Sequence, residues 1–243
     1  MWRMIFTFLF VLGGCAGSGL RDDMTIVTPD DTTLYSVATI QKITDDTAPV
    51  HIYIEGDGRA FDSRGHATAD PTPRSRFMQR MAAADTSPNV AYIARPCQFV
   101  MDDKCTKTDW TDGRFSKAMV DSVAAAVKTI AGTRPVVLVG FSGGAMISGL
   151  IIQNHADIKA KQWITIAGVL NHTEWTQYFN DSPLVNSLNL NTLPRVPSVH
   201  YIAEYDKIVP STLSRKWLSD SKMIVILNAD HNTIPIMKLN FIN

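Results

Sequence analysis

The stretch Val136-Val137-Leu138-Val139 runs without a break into Gly140-Phe141-Ser142-Gly143-Gly144 and on into Ala145-Met146-Ile147-Ser148-Gly149-Leu150-Ile151-Ile152. Four successive apolar residues, three of them β-branched, read as a strand buried on both faces. The next segment is compatible with a helix, so a serine flanked by glycines stands where strand becomes helix. A serine held in so tight a turn tolerates no bulk beside it, and glycines two before and two after let the two elements close around it. Such a unit is stable only inside a sheet with helices laid against it.

The rest of the chain agrees. Short apolar runs alternate with helical patterns, as a mostly parallel sheet with helices on both faces requires. Strands are expected at 34–41, 50–55, 90–95, 136–140, 163–167, 199–203 and 223–227. Ser116 to Ala131 repeats Met119, Val123, Val127 and Ile130 at helical spacing and stops at Gly132. The fold class is therefore α/β, with a doubly wound, mostly parallel sheet. A chain of 243 residues fits one such domain, assigned to 24–243, with no repeat or internal linker. In this architecture ligands lie at the carboxyl ends of the strands.

A serine hydroxyl is a poor nucleophile near neutrality; it needs an imidazole to take its proton and a carboxylate to orient that imidazole. In a strand-turn-helix context the order along the chain is serine, acid, histidine. Asp206 follows the strand ending in Tyr201-Ile202-Ala203, and His231 follows the strand ending at Leu227. Both stand at crevice positions, which makes Ser142, Asp206 and His231 the candidate catalytic set. Glu204 is an alternative carboxylate. Asp230, adjacent to His231, is a poor orienter because neighbouring side chains diverge.

With these residues in hand the chain resembles the α/β-hydrolase superfamily over almost its whole length after residue 23. Glu55-Gly56-Asp57-Gly58 resembles the family's oxyanion loop, and Asp206-Lys207-Ile208-Val209-Pro210 its acid turn. The resemblance implies that the backbone N–H groups of Gly143 and Asp57 form the oxyanion hole. Ala94-Arg95-Pro96-Cys97-Gln98, Asp109-Trp110-Thr111 with Arg114-Phe115-Ser116, and Ser187-Leu188-Asn189 are similar to segments of a bacterial exported subgroup. There are two departures: Glu55 stands where many members have histidine, and only twelve residues come after His231, so the closing helix is expected to be short or missing.

At the amino terminus Arg3 precedes an apolar run, Met4 to Leu12, that is about half the roughly 20 residues a membrane-crossing helix needs. Leu12-Gly13-Gly14-Cys15 resembles the bacterial lipobox. Residues 1–14 read as a signal peptide, Cys15 as the lipid attachment site and 15–23 as a tether. Ala16 in place of aspartate points to the outer membrane facing the periplasm, with membrane contact through the lipid alone. Of three cysteines this leaves Cys97 and Cys105, expected to form a disulfide in an exported chain. Closing so short a loop is worth about 2.6 kcal/mol.

Lysine plus arginine balances aspartate plus glutamate, 23 against 23, so bulk charge gives no reason to expect nucleic acid as a partner. No metal is expected, since His172 lacks a second ligand at a recognisable spacing, and no other cofactor is called for. His51, His66, His155 and His200 read as structural or solvated, and Arg95 and Arg114 as surface or salt-bridge residues. Trp175, Tyr178, Phe179, Leu184 and Leu188, between the strands at 163–167 and 199–203, either cover an acyl pocket or cap the core. The expected activity is that of an esterase-like serine hydrolase acting on a small acyl substrate through an acyl-enzyme. The alternative is a catalytically silent hydrolase-fold lipoprotein that binds an envelope ligand or partner. Transfer of the acyl group to an alcohol or amine instead of water stays open.

Overall fold

A computed structural model describes residues 24–219 and 222–242; the signal-peptide, tether and Cys15 assignments lie outside these residues. Eight strands form one sheet: β1 (Thr25–Val27), β2 (Val37–Ile43), β3 (Val50–Ile54), β4 (Asn89–Ile93), β5 (Val136–Phe141), β6 (Ala160–Ile166), β7 (Ser198–Ala203) and β8 (Met223–Ile226). Their order is β1-β2-β4-β3-β5-β6-β7-β8. β1 and β2 run antiparallel to their neighbours, and all other pairs are parallel. Seven of these strands match the apolar runs to within a few residues. β1 was not expected: it is three residues long, exposed at the edge, and has no apolar run to announce it.

The sheet separates two apolar layers. On one face, α3 (Lys117–Ala131) and α4 (Gly143–Asn154) bury Val123, Val127, Met146 and Leu150 against Ile52, Ile54 and Leu138. Ser116 caps α3 by accepting from the Met119 N–H, and Gly132 ends it, as its sequence predicts. On the other face α1 (Phe77–Ala84) places Met78 and Met81 over Tyr53 and Tyr92. Shorter helices, α2 (Lys107–Trp110), α5 (His172–Phe179) and α6 (Ser211–Arg215), flank the carboxyl ends of the strands.

Among the described residues no helix comes after His231. Extended chain takes its place on the α1 face, where Ile234 and Leu239 are buried. Backbone pairing that a helix would provide internally is supplied by side chains instead. The Asn240 N–H donates to the Tyr201 hydroxyl at 2.8 Å, and Gln162 bonds both the Asn240 carbonyl, 2.8 Å, and the Ile242 N–H, 2.9 Å. Phe241 stacks on His51 with ring centroids 4.0 Å apart. The loop carrying His231 is thus anchored from behind.

Candidate active site

Ser142 follows β5 with φ at 52° and stands immediately before α4. A side chain on Gly140 would put its Cβ 2.4 Å from the Gly144 carbonyl, and one on Gly144 2.5 Å from the carbonyls of Ile54 and Glu55. Both glycines are therefore demanded by close approach of backbone, and the positive φ at Ser142 is the strain that this packing maintains. The Ser142 N–H donates to the Ile166 carbonyl at 2.9 Å, which ties the turn to the neighbouring strand.

Asp206 sits in the turn after β7, its side chain wholly buried. One carboxylate oxygen accepts from the N–H groups of Ile208 and Val209 at 2.8 and 2.7 Å. The other lies 2.7 Å from His231 Nδ1. A carboxylate so occupied can only accept, so Nδ1 carries the proton and Nε2 presents a lone pair. Ser142 Oγ is 3.1 Å from that Nε2. The imidazole also leans on Phe141, with ring centroids 5.0 Å apart. The structure thus brings together the three residues selected by chain order. The other two carboxylates are occupied elsewhere: Glu204 accepts from the Asn228 N–H at 2.9 Å, and Asp230 closes a turn on Asn232 and Thr233.

Asp57 lies against the start of α4, so close that a Cβ on Gly143 would stand 2.0 Å from its carboxylate. Gly143 is the first residue of the helix, where an N–H has no intrahelical acceptor. The Asp57 side chain has its own partners: Arg95 at 2.9 Å and Arg114 at 3.1 Å, both nearly buried. Burial by itself would raise this carboxyl; the Arg114 and Arg95 guanidiniums outweigh it and hold the group below the usual carboxylate range. For the two arginines a salt bridge was one of the two roles expected. Their burial was not, since arginine is seldom so enclosed unless paired.

Glu55, in the position of the family's usual histidine, is also buried. It accepts from the Gly56 N–H at 2.9 Å and from the Tyr92 hydroxyl at 3.0 Å. Desolvation pushes its carboxyl up to about 7 against the opposing pull of Gly56, Tyr92 and Arg95. Behind the loop, Gln98 donates to the Gly56 carbonyl at 3.0 Å and accepts from the Arg95 N–H at 3.1 Å. Arg95 also donates to the Arg114 carbonyl. Cys97 and Cys105 are disulfide-bonded. Ser187 accepts from the Phe115 N–H at 3.1 Å, and the Leu188 N–H donates to the Phe115 carbonyl at 2.9 Å. The segments at 94–98, 109–116 and 187–189 are therefore one continuous brace behind Asp57, a role that their spacing in sequence does not reveal.

Ser142 and His231 open on a cavity of about 690 Å³, lined also by Asp57, Phe61, Arg114 and Trp175. Trp175 is fixed by donating to the Ile208 carbonyl at 2.7 Å. The segment between β6 and β7 is divided: Trp175 lines the cavity, Leu184 is buried in the core, and Tyr178 and Phe179 are exposed. His172 is buried beside Phe115 and lies outside the cavity lining. Among the described residues no group of three or more His, Cys, Asp or Glu side chains is placed to hold a metal ion.

A family model described as serine hydrolase (FSH1) matches residues 71–238, a span that includes Ser142, Asp206 and His231. The chain belongs to this serine hydrolase family. The matched span starts after the Glu55–Gly58 loop and includes the strand-turn-helix unit, the acid turn and the histidine loop. Solved structures give the fold independently. An α/β serine hydrolase homologue from Coxiella burnetii superposes with a TM-score of 0.53 at 14% identity, covering 87% of this chain and 89% of that one. Mouse α/β-hydrolase domain-containing protein 10 gives 0.56 at 15% identity, covering 86% and 90%. A predicted hydrolase from Thermoplasma acidophilum gives 0.55 at 14%, covering 86% and 87%. No curated protein sequence matches the chain.

Proposed function

We propose that this serine hydrolase is an esterase-type enzyme in which Ser142 attacks the carbonyl of a small acyl substrate. His231 takes the hydroxyl proton on Nε2 and returns it to the departing alcohol; Asp206 holds the Nδ1 proton and steadies the imidazolium. The N–H groups of Gly143 and Asp57 receive the oxyanion. Water, activated by the same imidazole, then releases the acyl group from Ser142 and restores the hydroxyl. The observation that carries this reading is the unbroken run from Asp206 Oδ2 through His231 to Ser142 Oγ, at 2.7 and 3.1 Å, opening on a cavity large enough for a small ligand.

A panel of neutral aryl and alkyl esters of graded acyl length tests it. Wild-type protein is expected to turn over part of the panel, and Ser142→Ala to abolish that turnover. His231→Ala and Asp206→Asn should each cost several orders of magnitude, whereas Glu204→Gln and Asp230→Asn should stay within about ten-fold of wild type. A folded wild-type protein that hydrolyses none of the panel would favour a silent, ligand-binding member of the fold.

Export and lipidation at Cys15 are a separate proposal, supported by the Leu12-Gly13-Gly14-Cys15 run and compatible with a disulfide, which persists in oxidising compartments. Mass spectrometry of the mature amino terminus from a bacterial envelope fraction should find a diacylglyceryl-modified Cys15. An unmodified terminus at another residue would refute it.

A further inference from the structure

The catalytic cavity is lined by charges of both signs, Arg59, Arg74 and Arg114 with Glu55, Asp57 and Asp62. Asp57 is paired with two guanidiniums, those of Arg95 and Arg114, beside the start of α4. Two further arginines, Arg59 and Arg74, line the same cavity as Ser142. Among the described residues neither has an ion-pair or hydrogen-bond partner for its guanidinium. The carboxylates nearby are committed: Asp62 turns back to accept from the N–H groups of Arg64 and His66 at 2.8 and 2.9 Å, and Glu55 is buried against Gly56 and Tyr92.

The backbone of Arg59 is held in place, and the chain leading to Arg74 is tied two and three residues before it. The Arg59 N–H donates to the Pro71 carbonyl at 2.8 Å, three residues before Arg74, and the Phe99 N–H donates to Thr72 Oγ1 at 2.8 Å. The loop bearing Arg74 is thereby docked on both the oxyanion loop and the disulfide-closed loop. A guanidinium forks onto planar or tetrahedral oxyanions with two parallel hydrogen bonds, and two of them unpaired at one cavity make a site for such a group.

We propose that the acyl compound accepted at this site carries an anionic group, carboxylate or phosphate, received by Arg59 and Arg74 while Ser142 attacks the carbonyl. Arg59 and Arg74 are then specificity-determining residues of the reaction proposed above, on which this inference rests.

Three alkyl fluorophosphonates of equal chain length test it, ending in a carboxylate, a phosphate monoester or the neutral methyl ester of the carboxylate. The second-order rate of labelling at Ser142 is measured for each. Wild-type protein is expected to react at least ten-fold faster with one of the anionic probes than with the neutral one at low ionic strength, and which one identifies the group. The preference should shrink as salt is raised. Arg59→Gln/Arg74→Gln should reduce it below about three-fold, and Arg59→Lys/Arg74→Lys should retain part of it. Because these side chains hold up no other group, their loss should leave the protein folded, which circular dichroism checks. Equal rates for charged and neutral probes in wild type, or an unchanged preference in the glutamine variant, would overturn the inference with the hydrolase reading intact. Failure of all three probes to label Ser142 would overturn both.

Discussion

Glu55 shows how one residue couples the loop after β3 to solvent conditions. Its carboxyl is buried, and desolvation raises it from the ordinary glutamate range to about 7 despite the stabilising bonds from Gly56 and Tyr92. The folded protein binds this proton more tightly than the unfolded chain, so stability is greatest below the unfolded value and declines as pH rises toward 7, where the cost levels off. The full loss from this one group is on the order of 3 kcal/mol. Glu55→Gln keeps an acceptor for the Gly56 N–H but has no proton to lose. Denaturant unfolding at pH 5 and pH 8 should therefore show the variant gaining on wild type at the higher pH. A difference that does not change with pH would rule out this titration. None of this was legible in the sequence, where Glu55 stood only as a departure from the family's histidine. Its proton affinity comes from burial beneath parts of the chain distant in sequence, against the opposing pull of Tyr92 and Arg95. Ser142, by contrast, could be read directly, because the elbow is built from neighbours in sequence.

Strands with mostly apolar runs, β5 above all, were evident from the sequence pattern, since burial on both faces favours apolar residues. The edges were not. β1 is exposed and short, and the chain after His231 replaces a helix with side-chain bonds from Gln162 and Tyr201 that no periodicity encodes. The loop at 94–105 is of the same kind: its cysteines announce a bridge, while its task is visible only in three dimensions. Residues 95–98 hold the Gly56 carbonyl through Gln98 and the Asp57 carboxylate through Arg95, and the Cys97–Cys105 bond closes that loop. Cys97→Ser/Cys105→Ser should cost about 2–3 kcal/mol of stability. It should also lower kcat on esters by ten-fold or more at temperatures well below unfolding, because the proposed oxyanion donors lose their brace. A lowered Tm with unchanged kcat would confine the disulfide to a structural role.

At the scale of the molecule, the sheet order brings four distant pieces to one edge of the sheet: the turn after β3, the elbow after β5, the acid turn after β7 and the histidine loop after β8. Binding sites on such sheets lie at the carboxyl ends of the strands, which is why chain order and strand ends sufficed to choose Ser142, Asp206 and His231. What order alone did not disclose was the Arg95–Asp57–Arg114 group. Its members are separated by loops whose path depends on the disulfide and on Ser187. The central claim is that this convergence makes one serine nucleophilic. Labelling with a neutral fluorophosphonate, followed by peptide mass spectrometry, tests it most directly, because only a serine whose proton is being removed attacks the phosphorus and displaces fluoride. A single adduct on Ser142, formed at a rate that falls by orders of magnitude in His231→Ala, is the predicted result. Absence of any adduct in folded wild-type protein, or labelling at Ser142 that is indifferent to His231, would contradict it.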